Sequence, residues 1–361
     1  MSERRSWLPT RVRRGLYVLL AFVSALVVAE LGVRAVTQTD GAEGSPGDAA
    51  AAAVPRWGPL LAGGLFEPSR NPDLRYSMRP GFRGTVDGIE YRVNELGMRG
   101  PEVPPKGPRP RWALVGDSYA FGLGAAEGAT LHDRLAVELD CEVLSLGVPA
   151  YHTGQSVAWL AERGPDLELD GVLFLHYGND VTEPGFLVDP RNGQLYTDLT
   201  PMPVGWKGAL RHSALHRLWT QSATEAYVAS GAMEPGSGVM WPVAEQRLER
   251  MRKLCAEHGW PLVVLNLPMV RPEAVVRDDA AHAPDREDAA RVWAWAYLHD
   301  VAHVSLFGWL VGAAHQGRLD DWLVSPEPGP LFDDHFNAAG NAALARELAP
   351  ALRATGFFES D

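Results

Sequence analysis

The 361-residue chain has only two cysteines, Cys141 and Cys255. That is too few for a disulfide framework, and neither sits in a CxxC or other metal-ligand spacing, so a structural zinc site is excluded. Flanked by apolar residues, the two read either as one bridge outside the cytoplasm or as a pair of buried thiols. Cationic charge is also scarce: 33 Lys and Arg stand against 45 Asp and Glu, a net charge of −12. Such a balance argues against a phosphate-backbone binder, and nucleic acid is not an expected partner. Internal repeats are absent. Gly122, Gly124 and Gly128 lack the dinucleotide-binding spacing, and no lysine follows them as a phosphate-binding loop requires. What is plentiful is apolar content, 46% of the chain, which at this length supports one large core or two modest ones.

The first 14 residues hold Arg4, Arg5, Arg11, Arg13 and Arg14 against one acid, Glu3, and an apolar run follows from Leu16 to Ala29. This is a membrane-targeting layout. Counted from Gly15 to Val36, with Glu30 and Arg34 near the far interface, the run reaches the roughly 20 residues needed to span. Val27 and Ala29 offer a small-residue cleavage site before Glu30, but an uncleaved anchor is the favoured reading. Both readings place the remainder outside the cytoplasm, anchored to the membrane or secreted. Residues 1–36 are therefore an anchor or signal segment, and residues 37–55, rich in Gly, Ala and Pro, are a flexible linker.

Five short apolar stretches, 112–115, 142–146, 172–177, 262–267 and 301–307, read as buried strands. Helical patterns lie between them, including 131–139, entered through Thr130 with Asp133 at capping-box spacing, and 244–258. Apolar strands alternating with helices indicate a parallel sheet covered on both faces, a three-layer α/β doubly wound arrangement. Residues 56–110 form an irregular, β-rich prelude ending in a pair of turns at 94–100. Residues 183–240 break the alternation and read as an insertion, a lid or side wall with a helix at 209–220.

In such a sheet reactive residues gather at the carboxyl ends of the strands. Ser118, in Gly116-Asp117-Ser118, leaves the first strand. Gly147 follows the second, and Gly178-Asn179-Asp180 follows the third. A glycine lets its backbone N–H approach a substrate, and an asparagine amide donates without adding charge. With the N–H of Ser118 they would supply three donors to an oxyanion. A serine hydroxyl needs a base, and the base needs an acceptor that orients it. Asp333-Asp334-His335 supplies both, directly before a helical run from Ala338.

In this order and spacing, the four blocks resemble the SGNH (GDSL) hydrolase family over residue 111 to the carboxyl terminus. The turn pair at 94–100 is similar to that ahead of the serine block in many extracytoplasmic bacterial members. The resemblance implies a flavodoxin-like three-layer fold and a catalytic domain spanning 111–361. It also implies Ser118 as nucleophile, Ser118, Gly147 and Asn179 as the oxyanion hole, and His335 as general base. Two positions depart from the family pattern. Tyr177 stands where the third block usually has its glycine, and Phe332 stands where the last block usually has its aspartate. The two-residue spacing then makes Asp333, rather than Asp334, the partner of His335.

The expected activity is hydrolysis of an acyl or acetyl ester on a small molecule or carbohydrate, with no cofactor and no metal. Transfer of the acyl group to a surface polysaccharide, and a non-catalytic binding or scaffold role on the same fold, are the alternatives. His212 with His216, and His299 with His303, are spaced to share a helix face but lack the HExxH glutamate. Trp206, Trp219 and Trp241 read as lid packing or as walls for sugar stacking.

Overall fold

A computed structural model of the chain describes residues 10–37, 64–86, 88–178, 180, 187–188, 195–196, 200, 202, 206–207, 210, 213–229, 241–268, 283–324 and 335–358. A long amino-terminal helix, α1 (Thr10–Thr37), comes first. Two small antiparallel hairpins follow, β1 (Phe66–Pro68) with β2 (Tyr76–Met78) and β3 (Arg83–Val86) with β4 (Ile89–Arg92).

The central sheet has five strands: β5 (Arg111–Gly116), β6 (Glu142–Gly147), β7 (Gly171–Tyr177), β10 (Leu262–Leu267) and β11 (Ala302–Ser305). The two-stranded ribbon of β8 (Leu187–Val188) and β9 (Leu195–Tyr196) lies outside it. All neighbours in the central sheet are parallel, in the order β11-β10-β7-β5-β6. That is a flavodoxin-like doubly wound order, the arrangement that the family resemblance implied.

Alternation along each strand feeds two cores. Ala113, Val115, Val172, Phe174 and Val264 face one side, where they meet α4 (Thr153–Arg163), α6 (Trp241–His258) and α7 (Ala283–Leu298). Trp112, Leu114, Leu173, Leu175, Val263 and Leu265 face the other, against α3 (Leu131–Leu139), α8 (Phe307–His315), α9 (Leu319–Trp322) and α10 (Ala338–Arg353). The chain passes from β5 to β6 through α3 on one face. It then reverses direction, and the later crossovers α4, α6 and α7 lie on the opposite face, as crossovers of constant hand demand. The reversal opens a crevice between the carboxyl ends of β5 and β7.

Local signals set most boundaries. Thr130 and Asp133 form the expected reciprocal capping box of α3. Helix α6 starts at Trp241, three residues ahead of the expected position, with Pro242 in its first turn, where a missing N–H costs nothing. Strand β11 stops at Ser305, short of the expected 307, because the Ser305 hydroxyl accepts from the Phe307 N–H and turns the chain into α8. The helix expected at 209–220 is α5 (Ala214–Ala229). Its start is displaced because Ser213 Oγ accepts from the His216 N–H there. His299 lies beyond the end of α7 and His303 is on β11, so this pair does not share a helix face.

Candidate active site

Strand β5 delivers the chain to the crevice, and Gly116 lets it turn there. A Cβ on Gly116 would come within 2.7 Å of the Leu175 carbonyl oxygen on β7. Asp117 then caps the single-turn helix α2 (Ser118–Phe121), its carboxylate accepting from the Tyr119 N–H at 2.9 Å. This places the Ser118 hydroxyl at the helix start. From the far end of the chain, His335 enters the same crevice, and its Nε2 lies 2.7 Å from Ser118 Oγ. Both side chains are buried.

The imidazole is held on several sides. Tyr119 stacks on it with ring centroids 4.6 Å apart, and Tyr119 Oη donates to Tyr177 Oη across 3.2 Å. The His335 carbonyl accepts from the Val324 N–H, and the next residue, Phe336, is buried against Tyr119 and Trp309. Asn337 caps α10 by accepting from the N–H groups of Ala339 and Gly340, so the histidine is fixed between a strand-like bridge and a helix start.

Gly147 ends β6 in register with Gly116. A Cβ there would lie 2.1 Å from the Phe121 nitrogen and 2.3 Å from the Ala120 carbonyl carbon. Its backbone therefore lies directly against the serine-bearing helix, a reason for glycine separate from any donor role. Gly178 is buried beside the crevice. Asn179, Asp333 and Asp334 lie outside the described residues.

Three further residues shape the site, and sequence reasoning gave none of them a role, although Asp180 closes the Gly178-Asn179-Asp180 block. Asp180 closes the turn after β7: its carboxylate accepts from the Tyr177 N–H at 2.9 Å, and its N–H donates to the Tyr177 carbonyl at 2.8 Å. Burial, reinforced by the nearby Asp117 carboxylate, pushes the Asp180 carboxyl well above the usual range. Arg99, from the turn pair at 94–100, is buried under α2. Its guanidinium donates to the carbonyls of Phe121, Gly122 and Ala125 at 3.2, 2.7 and 2.6 Å and stacks over the Tyr91 and Phe121 rings. Burial lowers its pKa to about 10, leaving it charged at neutral pH. Tyr119 is the third. Its signal was an aromatic immediately after the candidate nucleophile, matched by Phe336 immediately after the candidate base.

Both cysteines are free and buried, and burial pushes their thiols up to about 12. Among the described residues no group of three or more His, Cys, Asp or Glu could hold a metal ion.

No family model matches the chain, and no curated protein matches it. Solved structures similar to it include a carbohydrate acetylesterase family member from Sinorhizobium meliloti, at 16% identity and a TM-score of 0.36, covering 68% of this chain and 98% of that one. An aryl esterase from M. smegmatis gives 17% and 0.34, with 68% and 99% covered. A lipase/acylhydrolase from Enterococcus faecalis gives 13% and 0.39, with 68% and 96% covered.

Proposed function

We propose that this chain is a serine ester hydrolase of the SGNH type, tethered to a membrane by α1 with its α/β domain on the extracytoplasmic side. The observation that carries the reading is the 2.7 Å approach of His335 Nε2 to Ser118 Oγ in the crevice of the sheet. A hydroxyl has little nucleophilicity at neutral pH unless a base accepts its proton as the new bond forms, and a neutral imidazole nitrogen at this distance can do so.

In this mechanism Ser118 Oγ attacks the ester carbonyl and its proton passes to His335 Nε2. The imidazolium then protonates the departing alkoxide, releasing the alcohol and leaving an acyl-Ser118. Water, deprotonated by the same nitrogen, attacks the acyl carbonyl, and the Ser118 oxygen leaves with the returned proton. Asp333 is the residue we assign to hold the other ring nitrogen. The Ser118 and Gly147 N–H groups and the Asn179 amide are the donors we assign to the tetrahedral oxyanion. The stacking Tyr119 ring supports this role by limiting rotation of His335.

The membrane assignment is supported by Leu16–Arg34, a 19-residue stretch of α1 apolar enough to cross a bilayer and unburied along its length. The arginines of the first 14 residues mark the cytoplasmic end. The test uses the full-length protein in detergent. A fluorophosphonate probe should label the parent and not Ser118→Ala, and p-nitrophenyl acetate turnover should fall by roughly 10³-fold or more in the variant. Equal labelling of parent and variant would overturn the assignment.

A further inference from the structure

Glu30, near the outer end of the apolar stretch, makes bonds that a lipid-facing carboxylate would not have. It accepts from Ser213 Oγ at 2.7 Å and from the N–H groups of Ala214 and Leu215 at 2.8 and 3.1 Å, and it pairs with Arg34 Nε at 2.8 Å. The α1 helix thus supplies the capping carboxylate for the first turn of α5.

The depth of this contact follows from helix geometry. At a rise of about 1.5 Å per residue, Glu30 lies roughly 21 Å along the axis from Leu16 and roughly 6 Å short of Arg34. A hydrocarbon layer about 30 Å thick that accommodates 16–34 would place Glu30 roughly 7–9 Å inside its outer boundary, the depth to which an interfacial helix buries its apolar face. A carboxylate at that depth is tolerated when paired. Its partners are backbone groups of α5, so the first turn of α5 must share its level.

The surface there suits that position. Trp206, Leu210, Leu218 and Trp219 are 65%, 37%, 42% and 46% exposed, large apolar side chains on α5 and just ahead of it in the chain. Residues 199–224 contain no Asp or Glu but do contain Lys207, Arg211 and Arg217. Exposed Trp and Leu combined with cationic charge is the composition of a helix lying in the plane of an interface.

We propose that the first turns of α5, with Trp206 and Leu210, are a second membrane contact, seated at the boundary between headgroups and acyl chains beside α1. The proposal rests on the reading of α1 as a membrane anchor. Full-length protein is reconstituted into phosphatidylcholine–phosphatidylglycerol vesicles, with NBD attached through Leu218→Cys, through Val23→Cys in mid-anchor, or through Val137→Cys on α3, where Val137 is 76% exposed. The two native thiols are buried and unreactive, so labelling follows the introduced one. Doxyl-labelled lipid should quench positions 23 and 218 several-fold and leave 137 unquenched. Trp219→Cys serves as a second position on α5. Quenching at 23 but not at 218 or 219 would overturn the second contact while leaving the anchor intact. Absence of quenching at 23 as well would remove the anchor reading and the proposal with it.

Discussion

Arg99 braces the helix that carries the proposed nucleophile without supplying a reacting atom itself. Its fork holds three carbonyls at the carboxyl end of α2 and the loop beyond, and that helix carries Ser118 at its other end. Lysine would keep the charge but not the planar fork, so some of these buried acceptors would go unmet. The expected cost of Arg99→Lys is on the order of 2 kcal/mol, a Tm lower by roughly 4–8 °C, read by thermal unfolding. Esterase turnover should fall with it, whereas Arg83→Lys, on an exposed ion pair, should change neither. Ser118 and His335 were legible because each sits in a short block at the end of a strand or the start of a helix, and the four blocks in combination carried the family resemblance. Arg99 was not. An arginine in an irregular segment has no period to betray burial, and its carbonyl partners lie 22 to 26 residues away.

At the scale of elements, the strongest dependence runs between β6 and α2. A side chain on Gly147 would collide with the Phe121 nitrogen and the Ala120 carbonyl carbon, both backbone, so relief requires moving α2 and Ser118 with it. Gly147→Ala retains its N–H as a donor. It should nevertheless react with a fluorophosphonate at least about 100-fold more slowly, since misplacement on the order of 1 Å has that effect. Gly308→Ala, in α8 with open space around it, should react at the parent rate. An unchanged rate in Gly147→Ala would show that the helix can yield. The strands themselves were readable as apolar runs because both of their faces are buried. Their edges were less so: β11 ends where a single serine hydroxyl captures the chain, and α5 starts where Ser213 and Glu30 supply acceptors. The first signal is one residue wide. Of the second, the Glu30 part comes from 183 or more residues away.

For the whole molecule, burial of neutral histidines sets an acid limit. Burial pushes His132 and His303 down to about 4 and His152 well below its usual value. With native pKa values depressed, the unfolded chain binds more protons than the folded one as pH falls below about 6.5. Stability is therefore greatest above that range and declines toward pH 4. Asp180, raised by burial, acts in the opposite sense, because its native proton is retained where the unfolded chain has lost it. Among the described residues one such group opposes three histidines, so their combined slope is positive. Urea midpoints should fall between pH 7 and pH 5, and His132→Gln should flatten that decline. A midpoint that rose on acidification would contradict the balance.

The one-dimensional chain determined the apolar strands, their alternation with helices, the capping box of α3 and the membrane-length run. These depend on neighbours within a few residues, where period and hydrogen bonding act directly. Only the tertiary structure decided that side chains 217 positions apart meet at 2.7 Å, that an arginine of the prelude supports the serine helix, and that a carboxylate of α1 caps α5. Strand order and helix docking create those distances, and they arise from packing of the two sheet faces as a whole, which no local window contains.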